Sequence, residues 1–195
     1  ATHDMTLTRV VGVEAESQLA FAALATVLAP LAPFSAALAG TRGDALRSAL
    51  AHGEVPTSPL AVGRATLDVL SAAADAGPVH VQIDDAQWID DASAGALVFA
   101  LRRLDMDRVG ALVAVRSSET SRFDDAGFDE LPLEGIDADA GIALLRTTGP
   151  IEYGVAKQCW SDVGGNPLAL IELGGLLDDG QRRGIQPVAG DVHLG

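Results

Sequence analysis

Two adjacent carboxylates, Asp84 and Asp85, close a short β-prone run, Val79-His80-Val81-Gln82-Ile83, that opens behind Gly77-Pro78. A strand ending in two acids at the carboxyl edge of a parallel sheet delivers both to the crevice where such sheets bind ligands. There the first acid would hold a magnesium ion, usually through water. The second would orient or deprotonate the water that attacks a phosphoryl group. Two acids are needed because one side chain can hardly neutralise the metal and position the nucleophile together. The plain alternative is a strand that ends in a turn, with Asp91 or Ser93 capping the next helix.

The segments around this run must hold it. Thr8 to Val13 reads as a strand rich in valine. From Ser17 to Leu28 the apolar residues Leu19, Phe21, Leu24, Val27 and Leu28 fall at helical spacings, and Pro30 and Pro33 end the run. Further helices are predicted over Asp44–Ala51 and Leu60–Ala74, with a loop at Gly53–Pro59 between them. Behind the two acids, Ala94, Leu97, Val98, Leu101 and Leu104 form one stripe of a helix over Ser93–Leu104, as packing on a sheet requires. Ala111 to Val115 is apolar on both faces, which predicts an internal strand of a parallel sheet.

Glu119 to Glu130 reads as an acidic loop and Leu131-Pro132-Leu133 as an edge strand, since proline cannot donate to a ladder. Two or three helices are predicted to follow, over about Ala138–Arg146, Ile151–Asp162 and Pro167–Leu177. The expected organisation is an α/β core over residues 1–135, a helical subdomain over 136–178, and a flexible tail over 179–195.

Composition excludes several classes. The formal charge is −14, from 27 acidic against 13 basic residues, so the chain carries no electrostatic footprint for nucleic acid or an anionic membrane. The apolar stretch Leu19 to Leu31 is broken by Thr26 and Pro30 and falls short of a membrane span, and no signal peptide is visible. A single cysteine, Cys159, cannot form an internal disulfide, which fits a reducing compartment and makes a cytoplasmic location the expectation. His3, His52, His80 and His193 are isolated, and Cys159 has no partner at zinc-ligand spacing. The only lysine, Lys157, follows no glycine-rich loop, so the sequence contains no GxxxxGK[ST] phosphate loop.

The run Ile83-Asp84-Asp85-Ala86-Gln87-Trp88-Ile89-Asp90, taken with Ser93 to Leu104, resembles the Walker B segment and following helix of STAND-type ATPases. The likeness is greatest to the ATPase module of large LuxR-type bacterial transcriptional regulators. Three other stretches sit where that family would have them: Gly12-Val13-Glu14-Ala15-Glu16 with Phe21, Ala114-Val115-Arg116, and Gly165-Asn166-Pro167-Leu168-Ala169-Leu170. Together they span roughly residues 9 to 177.

The resemblance implies a P-loop-NTPase-like, three-layer core with a parallel sheet, followed by a small helical subdomain. It implies ATP and Mg2+ as cofactors, with Asp84 holding magnesium through water and Asp85 as the activating acid. It also implies Arg116 as the sensor of the terminal phosphate, and Asn166 and Pro167 near the base. The expected partners are nucleotide and other domains or subunits of a regulator, with no direct nucleic-acid contact and no membrane.

The residues also allow plainer roles: a surface or salt-bridged Arg116, a proline-started helix at Pro167, and a packed Trp88. The family's P-loop strand would lie beside Ala111–Val115, and its absence would expose a ladder edge. His80 and Gln82 are polar where the family is apolar, so they either bond inside or lie on a less covered face. The expected function is an ATP-dependent switch module, truncated or degenerate because no P-loop is present. The alternative is a non-catalytic remnant or protein-interaction module that does not bind nucleotide.

Overall fold

Alternation of β-branched residues builds three strands: β1 (Thr6–Val11), β2 (Val79–Asp84) and β3 (Val109–Val113). A computed structural model describes residues 5–52 and 58–188. The chain divides into two units, Ala1–Asp129 and Glu130–Gly195. In the first, the strands form a parallel sheet in the order β1-β2-β3, with Thr8 opposite Val81 and Val81 opposite Ala111. The crossovers carry α1 (Ala22–Leu28), α2 (Ala32–Ala37), α3 (Gly40–His52) and α4 (Pro59–Ala76) before β2, and α5 (Asp91–Leu101) before β3. The chain is therefore an α/β protein, as its pattern predicts. The loop expected at Gly53–Pro59 lies mostly outside the described residues.

The alternation has a direct physical reading. Thr8, Val10, Val79, Val81 and Ile83 point to one face and are buried beneath the helices, against Leu24, Val27, Leu28, Val62, Val69, Leu70 and Leu97. Small residues let α4 and α5 approach closely: a Cβ on Gly63 would lie 2.9 Å from the Phe99 ring. On the opposite face Leu7, Val11 and Leu112 are 51%, 44% and 55% exposed, with Arg9, His80 and Gln82 among them.

That face has no helical layer among the described residues, which corrects the expected three-layer core to two layers. It also accounts for His80 and Gln82, whose polar side chains stand on the bare face. The internal position expected for the third strand is not met among the described residues, where β3 pairs only with β2. Apolarity on both faces records what the side chains prefer to touch and does not supply a neighbouring strand.

Thr8 is fully buried and its hydroxyl has no partner among the described residues. An unmet buried hydroxyl is costly, while a methyl of the same shape is not. Thr8→Val is therefore expected to raise stability by about 1 kcal/mol, read as a higher urea midpoint at an unchanged slope.

The first helix begins later than its spacing predicts. Phe21 takes φ 65°, and α1 starts only at Ala22, behind a single 3-10 turn at Glu14–Glu16. The next cap also moves: Asp90, rather than Asp91 or Ser93, caps α5 by accepting the Ser93 N–H at 2.8 Å.

The second unit packs α6 (Ala138–Arg146), α7 (Tyr153–Asp162), α8 (Pro167–Leu176) and the short α9 (Asp179–Arg182) around Leu145, Ala156, Cys159 and Leu170. Each helix opens on a side-chain cap, from Asp137, Glu152, Asn166 and Asp178 in turn. Burial, reinforced by the carboxylate of Asp162, pushes the Cys159 thiol up, so it packs as an inert apolar group.

One expectation fails in this unit. Leu131-Pro132-Leu133 forms no strand and lies exposed. At the head of the stretch expected as a tail, Asp178 and Gln181 form a reciprocal capping box that starts α9. Arg182 then donates to the carbonyls of Gly174, Leu177 and Thr148. A four-residue helix has no periodicity to detect, and residues 189–195 lie outside the described residues.

Candidate functional site

The carboxyl ends of the three strands meet at one edge, where the chain leaving each is laced to the next. The Gly12 N–H continues the ladder to the Asp84 carbonyl at 2.8 Å, and the Ala86 N–H donates to the Ala114 carbonyl at 2.9 Å. Between them Asp85 turns the chain in the left-handed region, at φ 47° and ψ 48°. Aspartate tolerates that conformation better than most residues. The turn continues as one 3-10 turn over Ala86–Trp88.

Gly12 is required here for space. A Cβ there would fall 2.2 Å from the Asp85 carbonyl oxygen and 3.0 Å from Trp88 Cβ. Trp88 is half-buried beside the turn.

This lacing brings Asp84, Asp85 and Arg116 together. Arg116 Nε donates to Asp85 Oδ1 at 3.1 Å, and Gln87 Nε2 donates to the same oxygen at 2.8 Å. The Arg116 backbone N–H donates to Gln87 Oε1 at 3.3 Å, which closes a small ring of polar contacts. Asp84 Oδ1 accepts the Asp85 N–H at 3.1 Å, and Oδ2 lies 3.6 Å from the Arg9 guanidinium. The Arg116 side chain is 64% exposed, so its ion pair with Asp85 contributes at most about 1 kcal/mol.

Gln87 and Arg9 carry no role in the sequence reading. For Gln87 the available signal is an amide two residues past the second acid, on a turn. For Arg9 it is a lone charge in a valine-rich strand.

Asp90 is the largest omission. Its carboxylate is 4% exposed and accepts the N–H groups of Phe21 at 2.8 Å, Ala23 at 3.2 Å and Ser93 at 2.8 Å. Ser93 Oγ accepts the Leu24 N–H at 2.8 Å. One carboxylate and one hydroxyl thus serve the first turns of both α1 and α5, and hold Phe21 in its unusual conformation.

Asn166 and Pro167 belong to the second unit and perform a capping role there. Gly164 and Gly165, at φ +59° and +72°, turn the chain, Asn166 Oδ1 accepts the N–H groups of Leu168 and Ala169, and Pro167 starts α8. The turn is anchored by the Ile136 N–H on the Gly165 carbonyl and by Trp160 Nε1–H on the Ile136 carbonyl, at 2.9 and 2.8 Å.

The donor set at the sheet edge fits a hydrated magnesium ion. Such an ion keeps several waters and takes one or two carboxylates together with phosphate oxygens, and Asp84 would supply the carboxylate. No group of three or more His, Cys, Asp or Glu side chains able to hold a metal occurs among the described residues, so the fit is to a shared ion and not to a protein cage. For a nucleotide's phosphates the edge offers the Arg116 guanidinium. The sequence has no glycine-rich loop and lysine to cradle them.

Two open cavities lie elsewhere. One, of about 610 Å³, borders Thr148, Glu152, Asp179 and Arg182; the other, of about 530 Å³, borders Phe21, Leu60, Phe99 and Arg122. Neither is lined by Asp84, Asp85 or Arg116. At the rim of the second, Arg122 makes two bonds to Asp91, at 2.7 and 3.0 Å. The Arg122 hydrogen bond holds the Asp91 carboxyl below its ordinary value.

Because the folded value is the lower one, this pair stabilises the protein above the unfolded carboxyl's titration near pH 4 and is lost as the pH falls further. Both groups are largely exposed, so Arg122→Ala is expected to cost about 0.5 kcal/mol at pH 7 and less at pH 3, where protonation of the carboxyl begins to remove the pair. Urea titrations at the two pH values check this.

The fold and edge geometry define an α/β protein with a three-stranded parallel sheet and an acid-rich carboxyl edge. The chain matches no family model, no curated protein and no solved structure. No helix among the described residues is long and apolar enough to cross a membrane.

Proposed function

We propose that this chain carries the magnesium and terminal-phosphate half of an ATP-dependent switch module, of the STAND type found in large LuxR-type transcriptional regulators. The observation that carries the reading is the convergence of Asp84, Asp85 and Arg116 on one sheet edge, with Arg116 bonded to Asp85. In this reading Asp84 holds magnesium through water, Asp85 orients the attacking water, and Arg116 trades its bond to Asp85 for the terminal phosphate. DNA is read by a separate domain. With no phosphate loop in this sequence, affinity is low and turnover negligible.

A second reading, a non-catalytic interaction module, draws support from the ring that already satisfies Asp85 without a ligand. Calorimetry with ATP and ADP, with and without magnesium, separates the two. The switch reading expects magnesium-dependent ATP binding near 1 mM, roughly −4 kcal/mol, that Asp84→Ala abolishes. Absence of magnesium-dependent binding by folded protein gives the second reading its place.

A further inference from the structure

Taking Asp84 as the magnesium-holding acid, the reading proposed above, we infer that Arg9 regulates that same site: its guanidinium holds the place of the metal in the ligand-free chain, and a divalent ion binds Asp84 only by displacing it. Register brings the two residues together. Arg9 pairs with Gln82 and Val11 with Asp84, which makes Asp84 the diagonal neighbour of Arg9 across the ladder. Only a long side chain spans such a diagonal, and an Arg9 nitrogen stands 3.6 Å from Asp84 Oδ2. β1 and β2 are paired over the full six-residue length of each, so the contact is set by these two strands alone.

The two acids of the edge are held differently. Asp85 Oδ1 accepts hydrogen bonds from both Arg116 and Gln87, inside a closed ring. Asp84 Oδ1 accepts the Asp85 N–H, while its Oδ2 receives no hydrogen bond among the described residues. At 3.6 Å Arg9 lies beyond hydrogen-bond range and acts on that oxygen as a nearby charge.

A carboxylate oxygen with free lone pairs suits a hydrated magnesium ion, which keeps several waters and takes one or two carboxylates. The guanidinium already neutralises that oxygen, and a dication arriving there meets a like charge. The two cations therefore compete. Arg9 is 56% and Asp84 43% exposed, so the displaced guanidinium passes into water with little loss. Metal affinity is thus held down by a residue that contacts neither the metal nor its waters once they are bound.

Manganese alone is the probe, because it takes the same oxygen ligands as magnesium and its unpaired electrons broaden the amide signals of nearby residues. The titrations use the full chain without nucleotide at physiological salt, where charges more than about 8 Å apart are largely screened. In the wild type, broadening is expected first at Asp84 and Asp85, and Asp84→Asn is expected to remove it. Arg9→Gln is expected to tighten manganese binding about three- to fivefold, the scale of one exposed ion pair. Arg9→Lys keeps the charge and should stay within about twofold of the wild type. Arg42→Gln removes the same charge from the pair that α3 and α4 make through Asp68, and it should change nothing at the edge.

Broadening centred on Asp84 that Arg9→Gln leaves unchanged or weakens overturns the role of Arg9 and leaves Asp84 as the metal's ligand. Equal tightening in Arg9→Gln and Arg42→Gln overturns it as well, since net charge alone would then be acting. No broadening at Asp84 in either the wild type or Arg9→Gln overturns the metal role of Asp84 itself, and that of Arg9 with it.

Discussion

Asp90→Ala is expected to lower the stability of the first unit by about 3 to 5 kcal/mol. The side chain is 4% exposed and accepts three backbone N–H groups, from Phe21, Ala23 and Ser93. Hydrogen bonds to a charged group contribute roughly 1.5 to 3 kcal/mol each, though not additively within one cluster. Alanine leaves those donors buried without acceptors and removes the cap of α5. It also releases Phe21 from φ 65°, a conformation that non-glycine residues hold only under constraint.

Domains of this size are stable by about 5 to 15 kcal/mol, so the variant is left near its threshold. Asp90→Asn keeps one acceptor oxygen and is expected to lose about half as much. Urea unfolding followed through the fluorescence of Trp88, which lies in this unit, gives the number; a loss below 1 kcal/mol for alanine would remove the double-capping account.

Gly12→Ala comes second, at about 2 to 3 kcal/mol. The argument is one of space. The added methyl meets the Asp85 carbonyl oxygen at 2.2 Å. That carbonyl cannot swing aside freely, because it accepts the Trp88 N–H at 2.9 Å, and Gly12 itself is fixed by its bond to the Asp84 carbonyl. Relief therefore comes from moving the whole turn that carries Asp85 and Gln87. Amide spectra of the variant should show the largest shifts at Asp85, Gln87 and Arg116; a variant as stable as the wild type, with those signals unmoved, would show that the approach is looser.

Much of this architecture is written locally. The two acids at the end of β2, the stripe of α5 and the proline that opens α8 each declare themselves within a dozen residues, because strand alternation, helical spacing and proline geometry act over that range. What escapes a linear reading depends on distant partners. Asp90 looks like one more acid in a turn, since its other partners stand 67 and 69 residues earlier in the chain. Phe21 sits at a helical spacing, yet that same carboxylate postpones the helix by holding it outside helical space. β3 carries the composition of an internal strand yet pairs only with β2 among the described residues, because composition states a preference and topology decides whether it is met. At the carboxylate edge Asp84, Asp85 and Arg116 are visible in sequence, while Gln87 joins them only once the turn has folded.

The all-parallel sheet has a consequence for how the protein comes into being. No two strands are joined by a hairpin, so none of the three can zip up from a local turn. β2, α5 and β3 are contiguous and can assemble over a modest span, whereas β1 must find β2 across the whole segment 12–78. Closing a loop of that length costs roughly 4 kcal/mol of chain entropy before any contact rewards it. The expected course is an early nucleus around β2 and α5, with β1 arriving late, and overall rates in the slow range of non-local folds. The Asp90 carboxylate, waiting at the head of α5 for the N–H groups of Phe21 and Ala23, would then act as the latch that the last arriving segment closes.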